Sequence, residues 1–95
     1  MSLMFDSSLF NKDISRWDVS QVEHMEGMFF KSIFNRDISS WNVSQVKYMP
    51  FMFKESSFNQ NIDTWKINPK CDISNMFEDS IMEKTNNLPI WYKNK

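Results

Sequence analysis

The chain has little of what most catalytic and secreted scaffolds need: one cysteine, one histidine, no block of charge of one sign and no long apolar run. A single thiol, Cys71, excludes an internal disulfide framework and a cysteine zinc cluster. The only histidine, His24, has Tyr48 at the equivalent place one repeat later and no column of partner residues beside it. It reads as a solvated side chain, because nucleophilic catalysis needs a base held against a nucleophile. Cys71 shares its repeat position with Glu23 and Lys47 and reads as a small inert filler. No catalytic residue is assigned, and the chain is read as not an enzyme, without cofactor or metal.

Eleven basic and twelve acidic residues are scattered through the 95, for a net charge of -1. This gives no electrostatic footprint for nucleic acid or an anionic membrane surface. Aromatic platforms serve single-stranded nucleic acid only beside a basic groove, and the aromatics here recur at core-like positions. No apolar stretch approaches the roughly 20 residues that span a bilayer, so no membrane insertion is expected. The opening Met-Ser-Leu-Met-Phe lacks the basic and apolar regions of a signal peptide, which leaves the compartment unread.

What the sequence does have is a period. Trp17, Trp41 and Trp65 stand 24 residues apart, as do Met4-Phe5, Met28-Phe29, Met52-Phe53 and Met76-Phe77. Ser8, Ser32, Ser56 and Ser80 keep the same interval, with Phe10-Asn11, Phe34-Asn35 and Phe58-Asn59 between them. Ile14, Ile38 and Ile62 follow, then Val19, Val43 and Ile67. Ungapped self-similarity of this kind marks a repeat architecture. The single domain, 1–95, divides into repeats 4–27, 28–51 and 52–75, with 76–95 a partial repeat and C-terminal cap.

Within a unit, Trp17 and Val19 alternate with Arg16 and Asp18. That alternation predicts a short strand at 16–20, with copies at 40–44 and 64–68, pairing in parallel. Ser20 with Glu23, Ser44, and Asn68-Pro69 then offer helix starts at one repeat position. Val22, Met25, Met28 and Phe29 follow at helical spacing, and Pro50 is expected to kink or shorten the second helix. The expected fold class is an α/β repeat solenoid, one short parallel strand and one short helix per coil. The irregular arm contributes Asn11, Asn35 and Asn59, read as a ladder of buried amides bridging the backbone of neighbouring arms.

The last unit departs from the pattern. Met82-Glu83 replaces Phe-Asn, and Trp91 arrives two residues late behind Leu88-Pro89-Ile90. An atypical terminal repeat reads as a cap. Residue 1 falls partway through a unit, which leaves Ile14, Trp17 and Val19 of the first coil without an expected cover. Two such N-terminal faces are expected to meet in an isologous homodimer.

The unit from Met28 to Met49, Met-Phe-x-x-Ser-x-Phe-Asn-x-Asp-Ile-Ser-x-Trp-x-Val-Ser-x-Val-x-x-Met, resembles the repeat of BspA-like leucine-rich-repeat surface proteins. The resemblance runs from Met4 to about Phe77. It weakens in the third unit, where Asn61 and Asp63 replace Asp37 and Ser39, and Lys70 replaces Val46. It implies a right-handed solenoid of leucine-rich-repeat-like coils, a cell-surface or secreted location, and adhesion or partner binding.

The residues themselves offer two candidate sites. Asp13 and Asp37 stack on adjacent coils, but calcium takes six to eight oxygens and Asn61 ends the column. Acceptance of backbone N–H bonds at a turn is the better reading. The outward strand positions, by contrast, differ between coils: Arg16, Ser40 and Thr64 in one row, Asp18, Asn42 and Lys66 in the next. Fixed scaffold with a varied polar strip predicts a protein or glycan ligand bound there by hydrogen bonds. The alternative is a structural spacer or self-assembling segment of a longer surface repeat array.

Overall fold

A backbone amide has one hydrogen to give, and in the arm that runs through residues 23–31 every second amide gives it to the next repeat. In the computed structural model, which describes residues 4–5 and 9–93, Met25 N–H donates to the Tyr48 carbonyl at 2.7 Å and Gly27 to Pro50 at 3.0 Å. Phe29 donates to Met52 at 2.9 Å and Lys31 to Lys54 at 3.0 Å. The same four bonds recur one repeat on, from Met49 to Asp72, Phe51 to Ser74, Phe53 to Met76 and Glu55 to Glu78. Pairing is parallel, with isolated bridges at His24–Tyr48 and Tyr48–Asp72.

This pairing overturns the expected helices. An α-helix needs its amides for its own carbonyls four residues back, and here alternate ones are spent between repeats. The chain instead turns tightly within each unit, Met28 N–H to Met25 and Ser32 to Phe29 in the first. Two left-handed residues per unit complete the turns: Gly27, Phe51 and Asn75 (φ 58°, 60° and 52°), and Lys31, Glu55 and Asp79 (φ 56°, 54° and 57°). Only Gly27 takes this conformation without the Cβ penalty of roughly 1 to 2 kcal/mol. Pro50 kinks nothing, because the amide it lacks falls between the donating amides of Met49 and Phe51. The supposed helix caps serve turns: the Ser20 and Ser44 hydroxyls donate to Asp18 and Asn42, and Asn68 Oδ1 accepts from Lys70 N–H.

The expected strands at 16–20, 40–44 and 64–68 are absent too. In this arm the described backbone bonds are local, Trp17 to Ile14, Trp41 to Ile38 and Trp65 to Ile62, each at 3.1 Å. Each closes a turn just before the tryptophan. The α/β solenoid of leucine-rich-repeat-like coils is therefore corrected. Among the described residues there is no strand and no sheet, and helix is confined to α1, Ile81–Lys84, and α2, Ile90–Lys93. The molecule measures 27 × 27 × 19 Å.

The interior is a set of side-chain columns built by the period. Phe5, Phe29, Phe53 and Phe77 stack at 5.6, 5.6 and 5.3 Å between centroids. Phe10, Phe34 and Phe58 stack beside them at 6.3 and 6.2 Å. Within each unit the two columns touch at 4.4 Å. Each such pair adds about 0.5 to 1.5 kcal/mol beyond the burial of its rings. Met25, Met49, Met52 and Met76 fill the space alongside, fully buried. Buried Ser32 and Ser56 turn the chain by accepting from the amides of Phe34 and Phe58. The same column in the last unit, Ser80, caps α1 by accepting from Glu83 N–H.

Candidate functional site

The arm expected to be a strand carries the candidate site, and turns shape it. Asp13 Oδ1 accepts from Ser15 N–H at 2.9 Å and Asp37 Oδ1 from Ser39 N–H at 2.8 Å, the turn role expected of these acids. The Ser15 amide and hydroxyl, helped by Arg16 and Arg36, hold the Asp13 carboxyl below its usual value. The Ser39 amide and hydroxyl do the same for Asp37, against the opposing charge of Asp13. The Ser20 hydroxyl and then its amide lower Asp18. These carboxylates are thus committed to their own turns. Among the described residues no three His, Cys, Asp or Glu side chains gather where a metal ion could be held.

Tryptophans tie this arm together. The Trp41 indole N–H donates to the Ile14 carbonyl and Trp65 to Ile38, both at 3.0 Å. Beside them the asparagine column forms the expected ladder, Asn35 N–H to Asn11 Oδ1 at 2.9 Å and Asn59 N–H to Asn35 Oδ1 at 2.8 Å. It differs in one respect, since Asn35 and Asn59 are exposed and not buried.

On this frame lies a shallow groove of about 480 Å³. Of the six predicted residues it brings together Ser40, Asn42, Thr64 and Lys66, with Ser39 and Trp41 in the wall. Arg16 and Asp18 are exposed in the first repeat and do not line it. Two smaller hollows adjoin through shared residues, one with Asp13, Arg36, Asp37 and Ser40, the other with Asp37, Gln60, Asn61 and Thr64. Asn42 spends its carbonyl oxygen on the Ser44 amide and hydroxyl at 3.1 and 2.7 Å. Its repeat partner Lys66 has no carbonyl to spend and makes no ion pair among the described residues. Sequence reasoning missed Ser39, Arg36 and Gln60. The signal was present in the serine two residues after each turn acid, which places Ser39 beside Ser40.

The two reactive side chains lie elsewhere. His24 Nδ1 is 2.9 Å from Glu26 Oε1, and its exposed ring stacks on Tyr48 at 4.8 Å. Cys71 is buried. The groove therefore holds hydroxyl, amide and ammonium groups without a nucleophile and base in contact. No helix is long and apolar enough to cross a membrane among the described residues. Comparison with curated proteins gives no match, and comparison with solved structures gives none. Residues 1–91 match the family described as Mycoplasma protein of unknown function, DUF285, and the chain belongs to that family.

Proposed function

We propose that the chain is a non-catalytic binding module that holds a protein or glycan ligand in the polar groove of Ser40, Asn42, Thr64 and Lys66. The observation that carries this reading is the gathering of these four residues in one groove. They vary between repeats, while the tryptophans and phenylalanines behind them do not. Hydroxyl and amide groups on a rigid support exchange water for ligand hydroxyls or peptide groups at little cost in ordering. The open, polar lining suits hydrogen-bonded recognition better than engulfment of an apolar small molecule.

The test is a screen of oligosaccharides and proteins against the chain, repeated with Thr64→Ala plus Lys66→Ala. Loss of the bound species from the double variant at unchanged melting temperature is expected. Binding that survives the double variant moves the site away from the groove, and a chain that binds nothing in either screen leaves the spacer reading in its place.

A further inference from the structure

The ladder between repeats has an outer edge. In the first and second repeats four alternate amides donate to the carbonyls of the following unit. The third copy of this arm carries the same four amides, at Ile73, Asn75, Phe77 and Asp79, but after Ser80 the chain turns into α1 and α2. One of the four finds a substitute there, as Asp79 N–H donates to Glu83 Oε1 at 3.0 Å, while the Phe77 and Met76 amides lie near enough to the Tyr92 hydroxyl to act on its titration. Ile73 and Asn75 N–H have no acceptor among the described residues. They border an opening of about 390 Å³ whose other walls are Cys71, Asp72, Ser74 and Tyr92.

We propose that this edge is a second binding site, one that receives a peptide segment of a partner protein laid parallel to residues 72–76 and following their turning path. Two peptide carbonyls, two residues apart, accept from Ile73 and Asn75 N–H. The side chain between them is apolar, because in the interior copies that place is taken by fully buried Met25 and Met49, flanked by donor and acceptor positions of the ladder. A proline after the apolar residue is accepted, since Pro50 occupies that place in the second repeat without loss of a ladder bond. Unpaired edge amides are the usual template for strand addition, with main-chain bonds supplying affinity and the alternate side chain supplying selection. The existing ladder fixes register and direction, so the partner continues a pattern already made twice.

The probe is a synthetic peptide copying residues 45–51, acetylated and amidated, titrated into the labelled chain while amide exchange is followed residue by residue. The Ile73 and Asn75 amides, fast in the free chain, are expected to slow by about tenfold or more at saturation, with Met25 and Met49 unchanged. A peptide with aspartate in place of its methionine should bind about tenfold more weakly or worse. Fast exchange at both amides under saturating peptide overturns the proposal. So does slow exchange in the free chain, which means the edge is already covered, or protection that rises with protein concentration alone, which means a second copy is the occupant.

Discussion

The indole N–H of Trp91 donates to the carbonyl of Ile62 at 2.9 Å, repeating the bonds from Trp41 to Ile14 and Trp65 to Ile38 although Trp91 stands two residues late. Its ring also stacks on Trp65 at 6.2 Å. The two extra residues are taken up between Ser80 and Ile90, where α1 replaces the irregular arm. The tryptophan column is thus a set of slots, each requiring an apolar plate and one donor.

Removal of a central plate should be costly. Trp41→Ala is expected to lose roughly 3 to 5 kcal/mol in chemical denaturation. Trp41→Phe keeps most of the plate and loses one of the two donors to the Ile14 carbonyl, Trp17 N–H remaining, and should cost about 0.5 to 1.5 kcal/mol. Trp17 is 39 % exposed against 4 % for Trp41, so Trp17→Ala should cost less than half as much as Trp41→Ala. Equal losses at both positions would show that the slots are not what stabilises the chain.

The asparagine ladder makes a sharper chemical prediction. Asn35 Oδ1 accepts from Asn59 N–H and from Gln60 Nε2. Asn35→Ala should destabilise by about 0.5 to 1.5 kcal/mol, since the groups it leaves are exposed to water, whereas Asn35→Asp keeps the acceptor and should lose little at neutral pH.

Backbone conformation offers a third test. Gly27→Ala forces a Cβ into a left-handed residue and should cost roughly 1 to 2 kcal/mol. Glu55→Gly removes the same penalty at the equivalent of Lys31, offset by about 0.5 to 1 kcal/mol of added unfolded-chain entropy. The melting temperature of Glu55→Gly should therefore stay level or rise. A clear fall would show that Glu55 acts through its side chain.

The columns of core residues were legible because period alone assigns equivalent neighbours, and Phe29, Phe53, Val43 and Ile62 are buried as their repetition requires. The direction of backbone pairing was not. Val22, Met25, Met28 and Phe29 have helical spacing because three-residue turns bring the same side chains to one face, and spacing cannot separate the two cases. Nor do Lys31, Phe51 and Glu55 announce left-handed backbone, since the residues that normally do so are glycine and asparagine. For the candidate site, exposure and variation picked out Ser40, Asn42, Thr64 and Lys66, but how they join into a groove depends on turns that cross between repeats, such as the Ser40 hydroxyl bond to the Ser15 carbonyl.

Stability should fall at both ends of the pH scale for separate reasons. Asp13, Asp18 and Asp37 titrate below their ordinary 3.8 in the folded chain. Their contribution is whole above that value and is lost as pH drops through the lowered one. Tyr92 runs the other way: burial raises it above 10.0, outweighing the Phe77 and Met76 amides that lower it. Its contribution is whole below 10.0 and is lost as pH climbs through the raised value. Tyr92→Phe removes the titrating phenol and should flatten the alkaline limb of a melting curve series. An unaltered alkaline limb would place the sensitive group elsewhere.

The one-to-one ladder also constrains how such a gene changes length. Asn35 and Phe53 each find their equivalent one unit back along the chain, in Asn11 and Phe29. Unequal recombination between copies keeps every column in phase wherever the break falls, provided whole units of 24 residues are gained or lost. A single-codon insertion inside a repeat shifts all bonds on one side of it. The stretch between Ser80 and Trp91 already carries two residues more than the period and still seats its tryptophan, which makes it a tolerant place for such drift.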